Sequence, residues 1–84
     1  MDYKETIKKY LLNEVIHDMS DLEDNQQLID SGLIDSISIV KVIIFFENEF
    51  DISFEEKDMS PINFETVQAM VDTVSKKTQK YHIY

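Results

Sequence analysis

A strongly apolar segment, residues 36–50, constrains the fold of this chain more than any other feature. Its large apolar residues recur at spacings of three and four and cover a wide helical face: Ile37, Ile39, Val40, Val42, Ile43, Ile44, Phe46 and Phe50. A strand is the local alternative because β-branched residues are common here, but Ser38, Lys41 and Glu47 break a strict alternation. The pattern therefore predicts a central, largely buried helix over residues 36–50.

Apolar stripes of helical period also occur near both ends of the chain. In residues 2–16 the stripe consists of Tyr3, Ile7, Tyr10, Leu11 and Val15. In residues 64–78 it consists of Val67, Met70, Val71 and Val74. Asp2 and Glu5 have the spacing of a capping box, and lysines follow the second stripe, where they suit a helix C-terminus. We therefore predict a first helix over 2–16 and a last helix over 64–78.

Shorter segments complete the predicted fold. A long connection, residues 17–34, lacks a helical period, and Gly32 within it is expected to adopt a backbone conformation that other residues resist. Pro61 predicts a short helix over 60–63, because proline is favoured at the first helical position. The tail, 79–84, is expected to fray or to fold back. Together these elements predict one all-α domain over residues 1–84, a small four-helix bundle of three main helices and one short helix.

The composition excludes several classes of protein and site. The 84 residues contain no cysteine, which excludes disulfides and cysteine-based zinc sites or nucleophiles. Seventeen acidic and eight basic residues give a net charge of −9, so the chain should repel nucleic acid and anionic lipid. The longest uninterrupted apolar run, residues 42–46, is too short to cross a membrane, and the charged N-terminal region contains no signal-peptide core. We expect a cytoplasmic monomer that binds no nucleic acid and does not span a membrane.

Neither catalytic nor metal-binding residues emerge from the sequence. His17 and His82 fall at a predicted helix end and in the tail, away from any nucleophile that they could activate. The first loop is rich in aspartate, but it lacks the alternating ligands, the central glycine and the final glutamate of an EF-hand. These aspartates are Asp18, Asp21, Asp24 and Asp30. We therefore predict no metal site and a protein that is not itself an enzyme.

Ser36 is the most informative polar residue, because it lies where the long loop meets the central helix. A helix start presents unpaired N–H groups and a partial positive charge, and both favour a bound phosphate. Serine or aspartate at such a position is more commonly a helix cap. Asp35 suffices as that cap and would leave the Ser36 hydroxyl available. From the residues alone, capping and attachment of a phosphate-linked group both remain open for Ser36.

The residues around Ser36 resemble the acyl carrier and peptidyl carrier protein family. The matching motifs begin at Leu28 and continue through Gly32-Leu33-Ile34-Asp35-Ser36-Ile37, Val40, Phe46-Glu47-Asn48-Glu49-Phe50-Asp51-Ile52 and Pro61-Ile62-Asn63-Phe64-Glu65-Thr66-Val67. The resemblance covers essentially the whole chain, including its length and acidity. It implies that a phosphopantetheinyl transferase joins 4′-phosphopantetheine from coenzyme A to the Ser36 hydroxyl. The thiol of this cofactor would then hold an acyl or aminoacyl group as a thioester.

The resemblance also implies roles for residues near Ser36. Asp35 would be read by the transferase, cap the helix, or do both. An apolar border formed by Ile37, Val40 and Ile62 would line a groove for the cofactor arm or a short acyl chain. Partner enzymes, which include a loading ligase and downstream transferases or synthases, would dock on the central helix and its flanks. The predicted docking residues are Val40, Lys41, Glu47 and Ile62.

Two positions of the central helix, Ser38 and Lys41, depart from the pattern of fatty-acid synthesis carriers, which commonly have acidic residues there. The sequences of the motifs at residues 32–37 and 61–64 look more like those of stand-alone carriers in polyketide, nonribosomal peptide or D-alanyl pathways. Fatty-acid synthesis remains an alternative. A second alternative, from a different class, is an interaction module that is regulated by phosphorylation of Ser36.

Overall fold

Three α-helices form the framework of the computed structural model, which describes residues 3–17 and 19–79. The first helix, α1, covers Tyr3–Tyr10, α2 covers Ser36–Phe50, and α3 covers Val67–Gln79. Two single-turn 3₁₀ helices, Glu56–Met59 and Pro61–Asn63, lie between α2 and α3. The described residues contain no strand. The all-α class predicted from the apolar stripes is confirmed.

The sequence predicted one helix over residues 2–16, but the regular α-helix ends at Tyr10. After α1 the chain widens at Leu11–Val15 into a π-helical turn, in which the Ile16 N–H donates to the Leu11 carbonyl at 2.6 Å. The described residues of the predicted helix are helical through Val15, but the change to a π-helical turn was not predicted. An apolar stripe shows which side of a helix faces the core, but not whether its hydrogen bonds span four or five residues. The predicted cap at Asp2 lies outside the described residues.

The second helix has the bounds predicted for the central helix, because specific caps define both of its ends. Asp35 is extended, and its carboxylate accepts a hydrogen bond from the Ser38 N–H at 2.8 Å. At the other end Asp51 adopts the left-handed conformation, with φ of 54°, and its N–H donates to the Glu47 carbonyl. These caps stop the helix on both sides, and the strand alternative for this segment is wrong.

The two 3₁₀ helices differ from the single short helix predicted over 60–63. Pro61–Asn63 corresponds to that prediction and begins at proline, as expected. Glu56–Met59 was not predicted, because it has no buried residue and therefore no apolar pattern that a sequence could display. Its start is instead fixed by a capping box, in which Glu55 and Asp58 bond to each other's backbone N–H groups.

The last helix begins at Val67, so the predicted start at residue 64 is wrong. Phe64 is completely buried and packs into the core from outside the helix. The Thr66 hydroxyl accepts the Ala69 N–H at 3.0 Å, in the manner of an N-cap, and delays the start of the helix by three residues. The helix ends at Gln79, and the rest of the predicted tail lies outside the described residues.

The core lies between the helices, with α1 and α2 both packed against α3. Its centre is aromatic, because the ring centroid of Phe46 lies within 6.4 Å of those of Phe50, Phe54 and Phe64. The largest fully buried side chains are Phe46, Phe64, Ile7, Leu11, Leu22, Leu28, Ile34, Met70, Val42, Val67 and Val74. This core uses residues from α1, α2 and α3 and from the first loop, so it fixes their mutual positions.

The first loop is fastened to the bundle along its length. Its fully buried anchors are Leu22, Leu28 and Ile34. The Asp24 carboxylate also pairs with Lys4 at 2.7 Å and with Lys8 at 3.1 Å, which ties the loop to α1. Gly32 has φ of +81°, which confirms the conformation predicted for it. The loop therefore arrives at α2 along a defined path.

Candidate functional site

Ser36 is the first residue of α2 and follows the capping residue Asp35 directly. Its side chain is exposed, and its hydroxyl has no hydrogen-bond partner among the described residues. The hydroxyl is therefore not needed to hold the helix together. It is also accessible to an enzyme that approaches from solvent.

A compact turn delivers Ser36 to this position. The Gly32 N–H donates to the Ile29 carbonyl at 3.0 Å, and the Ile34 N–H donates to the Leu28 carbonyl at 3.0 Å. Ile34 is completely buried, whereas Ser36, two residues later, is exposed. This change from buried to exposed fixes the direction in which the chain leaves the core, and it places the serine at the surface.

Asp35 supplies the cap that keeps the first turn of α2 in place. The hydrogen bond from the Ser38 N–H, at 2.8 Å, and a further bond with the Ser38 side chain lower the pKa of Asp35 below its ordinary value of 3.8. Asp35 is therefore ionised at neutral pH and acts as the acceptor in this cap. Because Asp35 performs the capping, the Ser36 hydroxyl is left for other chemistry.

The electrostatics of the helix start suit a phosphate ester. The first turn of α2 contains no acidic residue, and the N–H groups at a helix start favour a bound anion. A phosphodiester on the Ser36 oxygen would lie outside the fold and would displace no core side chain. The residues that are present therefore fit a covalently attached phosphopantetheine group.

Large aliphatic side chains are exposed on α2 next to Ser36. Ile37 is 77% exposed, Val40 is 54% exposed and Ile44 is 52% exposed, and their spacing places them on one side of the helix. Among the 3₁₀ residues, Met59 and Ile62 are 45% and 64% exposed. A small domain that leaves so many large apolar side chains in water commonly uses them to bind a partner.

Two of the predicted docking residues, Lys41 and Glu47, have partners within the chain. The Lys41 ammonium donates to the Glu14 carbonyl at 3.1 Å, and the Tyr10 hydroxyl donates to the Lys41 carbonyl at 3.3 Å. The Glu47 carboxylate accepts the Phe54 N–H at 2.9 Å. Both side chains fasten α2 to neighbouring segments. The sequence did not indicate these contacts, because helical spacing gives the face of a residue but not the partner of a flexible side chain.

Other kinds of site are not found in the described part of the chain. No cluster of three histidine, aspartate or glutamate side chains is placed to hold a metal ion there. Within residues 3–17 and 19–79, no helix has the length and apolar character that crossing a membrane requires.

Comparison with known proteins identifies a family for this chain. A family model described as the phosphopantetheine attachment site matches residues 9–74. The D-alanyl carrier protein of Streptococcus mutans is 28% identical over 90% of this chain and 95% of its own length. The acyl carrier protein of Buchnera aphidicola is 31% identical over 88% of this chain and 91% of its own length.

A solved structure shows the same fold. The crystal structure of an acyl carrier protein from Thermotoga maritima superposes with a TM-score of 0.73 at 23% identity, over 92% of this chain and 87% of that one. The bundle, the family match and the curated relatives all indicate a carrier protein whose cofactor is covalently attached 4′-phosphopantetheine. Proteins of this kind interact with transferases and synthases. By fold, by sequence and by the chemistry available at the start of α2, the chain belongs to the phosphopantetheine attachment-site family.

Proposed function

We propose that this chain is a catalytically inert carrier that holds an acyl or aminoacyl group on a 4′-phosphopantetheine arm attached to Ser36. The observation that supports this most directly is the exposed Ser36 hydroxyl at the start of α2, inside the matched residues 9–74. When bound, the arm supplies a thiol that holds the cargo as a thioester. The carrier acts as a monomer in the cytoplasm, where coenzyme A and the loading enzymes meet it.

In the attachment step the Ser36 oxygen attacks the phosphorus that bears the pantetheine arm of coenzyme A. A new oxygen–phosphorus bond forms, the bond within the pyrophosphate breaks, adenosine 3′,5′-bisphosphate leaves, and the serine proton passes to a base of the transferase. Asp35 contributes by holding the first turn in place through Ser38. The positive end of α2 then stabilises the new phosphodiester. We also propose that the transferase contacts Asp35 directly.

Partner enzymes dock, in this proposal, on the exposed side chains Ile37, Val40 and Ile62. Their exposure supports this role, because covering an apolar surface with a partner removes it from water and so favours binding. Lys41 and Glu47, which the sequence had assigned to docking, serve the surface indirectly by holding α2 in place. A small surface of this kind favours quick release, which a carrier needs when it visits several enzymes.

The cargo is, in this proposal, that of a specialised pathway, with D-alanyl and other aminoacyl groups as the first candidates. Sequence identity does not distinguish between the two kinds of cargo, because D-alanyl carrier proteins and acyl carrier proteins are about equally similar to this chain. Charge supports the choice, because residues 36–46 contain one lysine and no acid. Identification by mass of the group on the protein purified from its own cell tests the pathway, and a long fatty-acyl group there would contradict it.

Loading in vitro tests the attachment site. The purified chain is incubated with coenzyme A and a broad-specificity phosphopantetheinyl transferase, and the intact mass is measured. We expect the wild type and the matched control Ser38→Ala to gain one phosphopantetheine group, and Ser36→Ala to gain none while it keeps its helical circular dichroism. Modification of Ser36→Ala would show that the site is wrong. A phosphate alone on Ser36 in the protein from its own cell would favour the regulated interaction module.

A further inference from the structure

Lys77 is the one charged residue that is buried in the described part of the chain. It lies in the last turn of α3 on the row of Met70 and Val74, where an apolar residue would be expected. Its ammonium bonds to the Asp58 carboxylate at 2.7 Å and lies 5.2 Å from the centroid of the Phe54 ring. Burial of an ammonium group is costly even in an ion pair, so core stability alone does not account for a lysine here.

The acceptor of this ammonium, Asp58, lies within residues 55–63, which include both 3₁₀ helices. Neither 3₁₀ helix contains a buried residue, so hydrophobic burial holds this segment only at its two flanks, through Phe54 and Phe64. Between these two anchors, polar bonds hold the segment in place. The Asp58 carboxylate accepts the Glu55 N–H at 2.9 Å, and the Asp58 carbonyl accepts the Asn63 side-chain amide at 2.8 Å. The Thr73 hydroxyl of α3 reaches the Asn63 carbonyl at 3.3 Å.

We propose that Lys77 is a positioning residue for docking of the phosphopantetheinyl transferase. Through Asp58 it fixes the 55–63 segment, so that Met59 and Ile62 remain displayed in a defined place. A surface that is ordered in advance spares the partner the entropy of ordering it on binding. The proposal rests on the proposed function, because it takes Ile62 as a docking residue.

Steady-state loading of the apo chain by the transferase tests this role, with the apo chain as the varied substrate. Lys77→Met keeps the aliphatic stem but removes the ammonium. We expect its KM to rise roughly threefold to tenfold, with kcat within about twofold of wild type, because docking is weakened and the reacting serine is untouched. Lys77→Arg keeps the charge and should restore a KM close to that of the wild type.

A double-mutant cycle separates positioning from a general loss of structure. In a chain with both Met59→Ala and Ile62→Ala, Lys77→Met should raise KM no further, because the lysine acts through the display of those two side chains. A further rise in that background would overturn the proposal. So would an unchanged KM in folded Lys77→Met.

Asp58→Asn decides the question if Lys77→Met does not fold, because it breaks the same pair from its more exposed side. The same rise in KM is expected, and an unchanged KM would overturn the proposal. A wild type that accepts no phosphopantetheine would overturn the proposed function together with the role of Lys77. A normally loaded wild type with unaffected variants would overturn only the role of Lys77.

Discussion

The ammonium nitrogen of Lys41 lies 3.1 Å from the carbonyl oxygen of Glu14, so a side chain of α2 caps the π-helical turn that follows α1. The last carbonyls of a helical segment lack hydrogen-bond partners within that segment, and a lysine ammonium can donate to them. The Tyr10 ring stacks on that of Phe45 at 3.8 Å between centroids, which strengthens the same junction. Lys41 is therefore part of the scaffold that presents the start of α2.

Loss of the Lys41 ammonium should weaken this junction. We expect Lys41→Met to lower the free energy of unfolding by about 1 kcal/mol, because the Glu14 carbonyl loses a charged hydrogen-bond donor at a site open to water. The measurement is urea unfolding followed by circular dichroism. The matched control is Lys9→Met, an exposed lysine of α1, which should change stability by less than about 0.5 kcal/mol. Equal losses in the two variants would contradict the capping role.

The left-handed conformation of Gly32 leads to a second prediction, which concerns the stability of Gly32 variants. We expect Gly32→Ala to destabilise the fold by about 1 kcal/mol, because a β-carbon disfavours a φ of +81°. The space around Gly32 is open, so the loss would come from backbone strain and not from a clash with a neighbour. Gly32→Asn should cost less, since asparagine tolerates this conformation better. Equal unfolding midpoints for glycine and alanine would contradict the argument.

The ion pair between Asp58 and Lys77 should make stability depend on pH in acid. The Lys77 ammonium, and then the Glu55 N–H, lower the pKa of Asp58 below its ordinary value of 3.8. A carboxyl whose pKa is lower in the folded state stabilises the fold above the unfolded pKa, and this contribution disappears as the pH falls through the folded pKa.

Comparison of the wild type with Asp58→Asn isolates this effect. The difference in their free energies of unfolding should be constant between about pH 7 and pH 5 and should shrink below about pH 4, as Asp58 becomes protonated in the wild type. Urea titrations at a series of pH values measure it. A difference that stays constant down to about pH 2 would show that the pair does not lower the pKa of Asp58 in the folded protein.

The sequence predicted α2 well because the information that defines this helix is local. Asp35 precedes the apolar run and caps it, while the run ends at Phe50 and Asp51. The conformation of Gly32 was predictable for the same reason, since it depends on the residue type and its place in a turn. Features that depend on one residue and its immediate neighbours can be inferred without a structure.

Other features could not be predicted because they depend on contacts between distant segments. The π-helical turn at Leu11–Val15 keeps the same apolar stripe as an α-helix, and its cap comes from Lys41 on another helix. The late start of α3 depends on burial of Phe64 against the aromatic core. Lys77 gave no signal of interest, because lysines near the end of a helix are common and its partner lies 19 residues earlier in the chain.

The separation between an exposed Ser36 and a closed interior has a consequence for the cycle in which a carrier takes part. If the group is attached at that oxygen as proposed, it displaces no buried side chain, so we expect the empty and the loaded forms to present nearly the same protein surface. An enzyme that must tell them apart has to sense the appended group itself, by length, charge or shape within its own active-site tunnel. Discrimination between stages of the pathway would then be a property of the partner enzymes, which would all bind the same surface of the carrier.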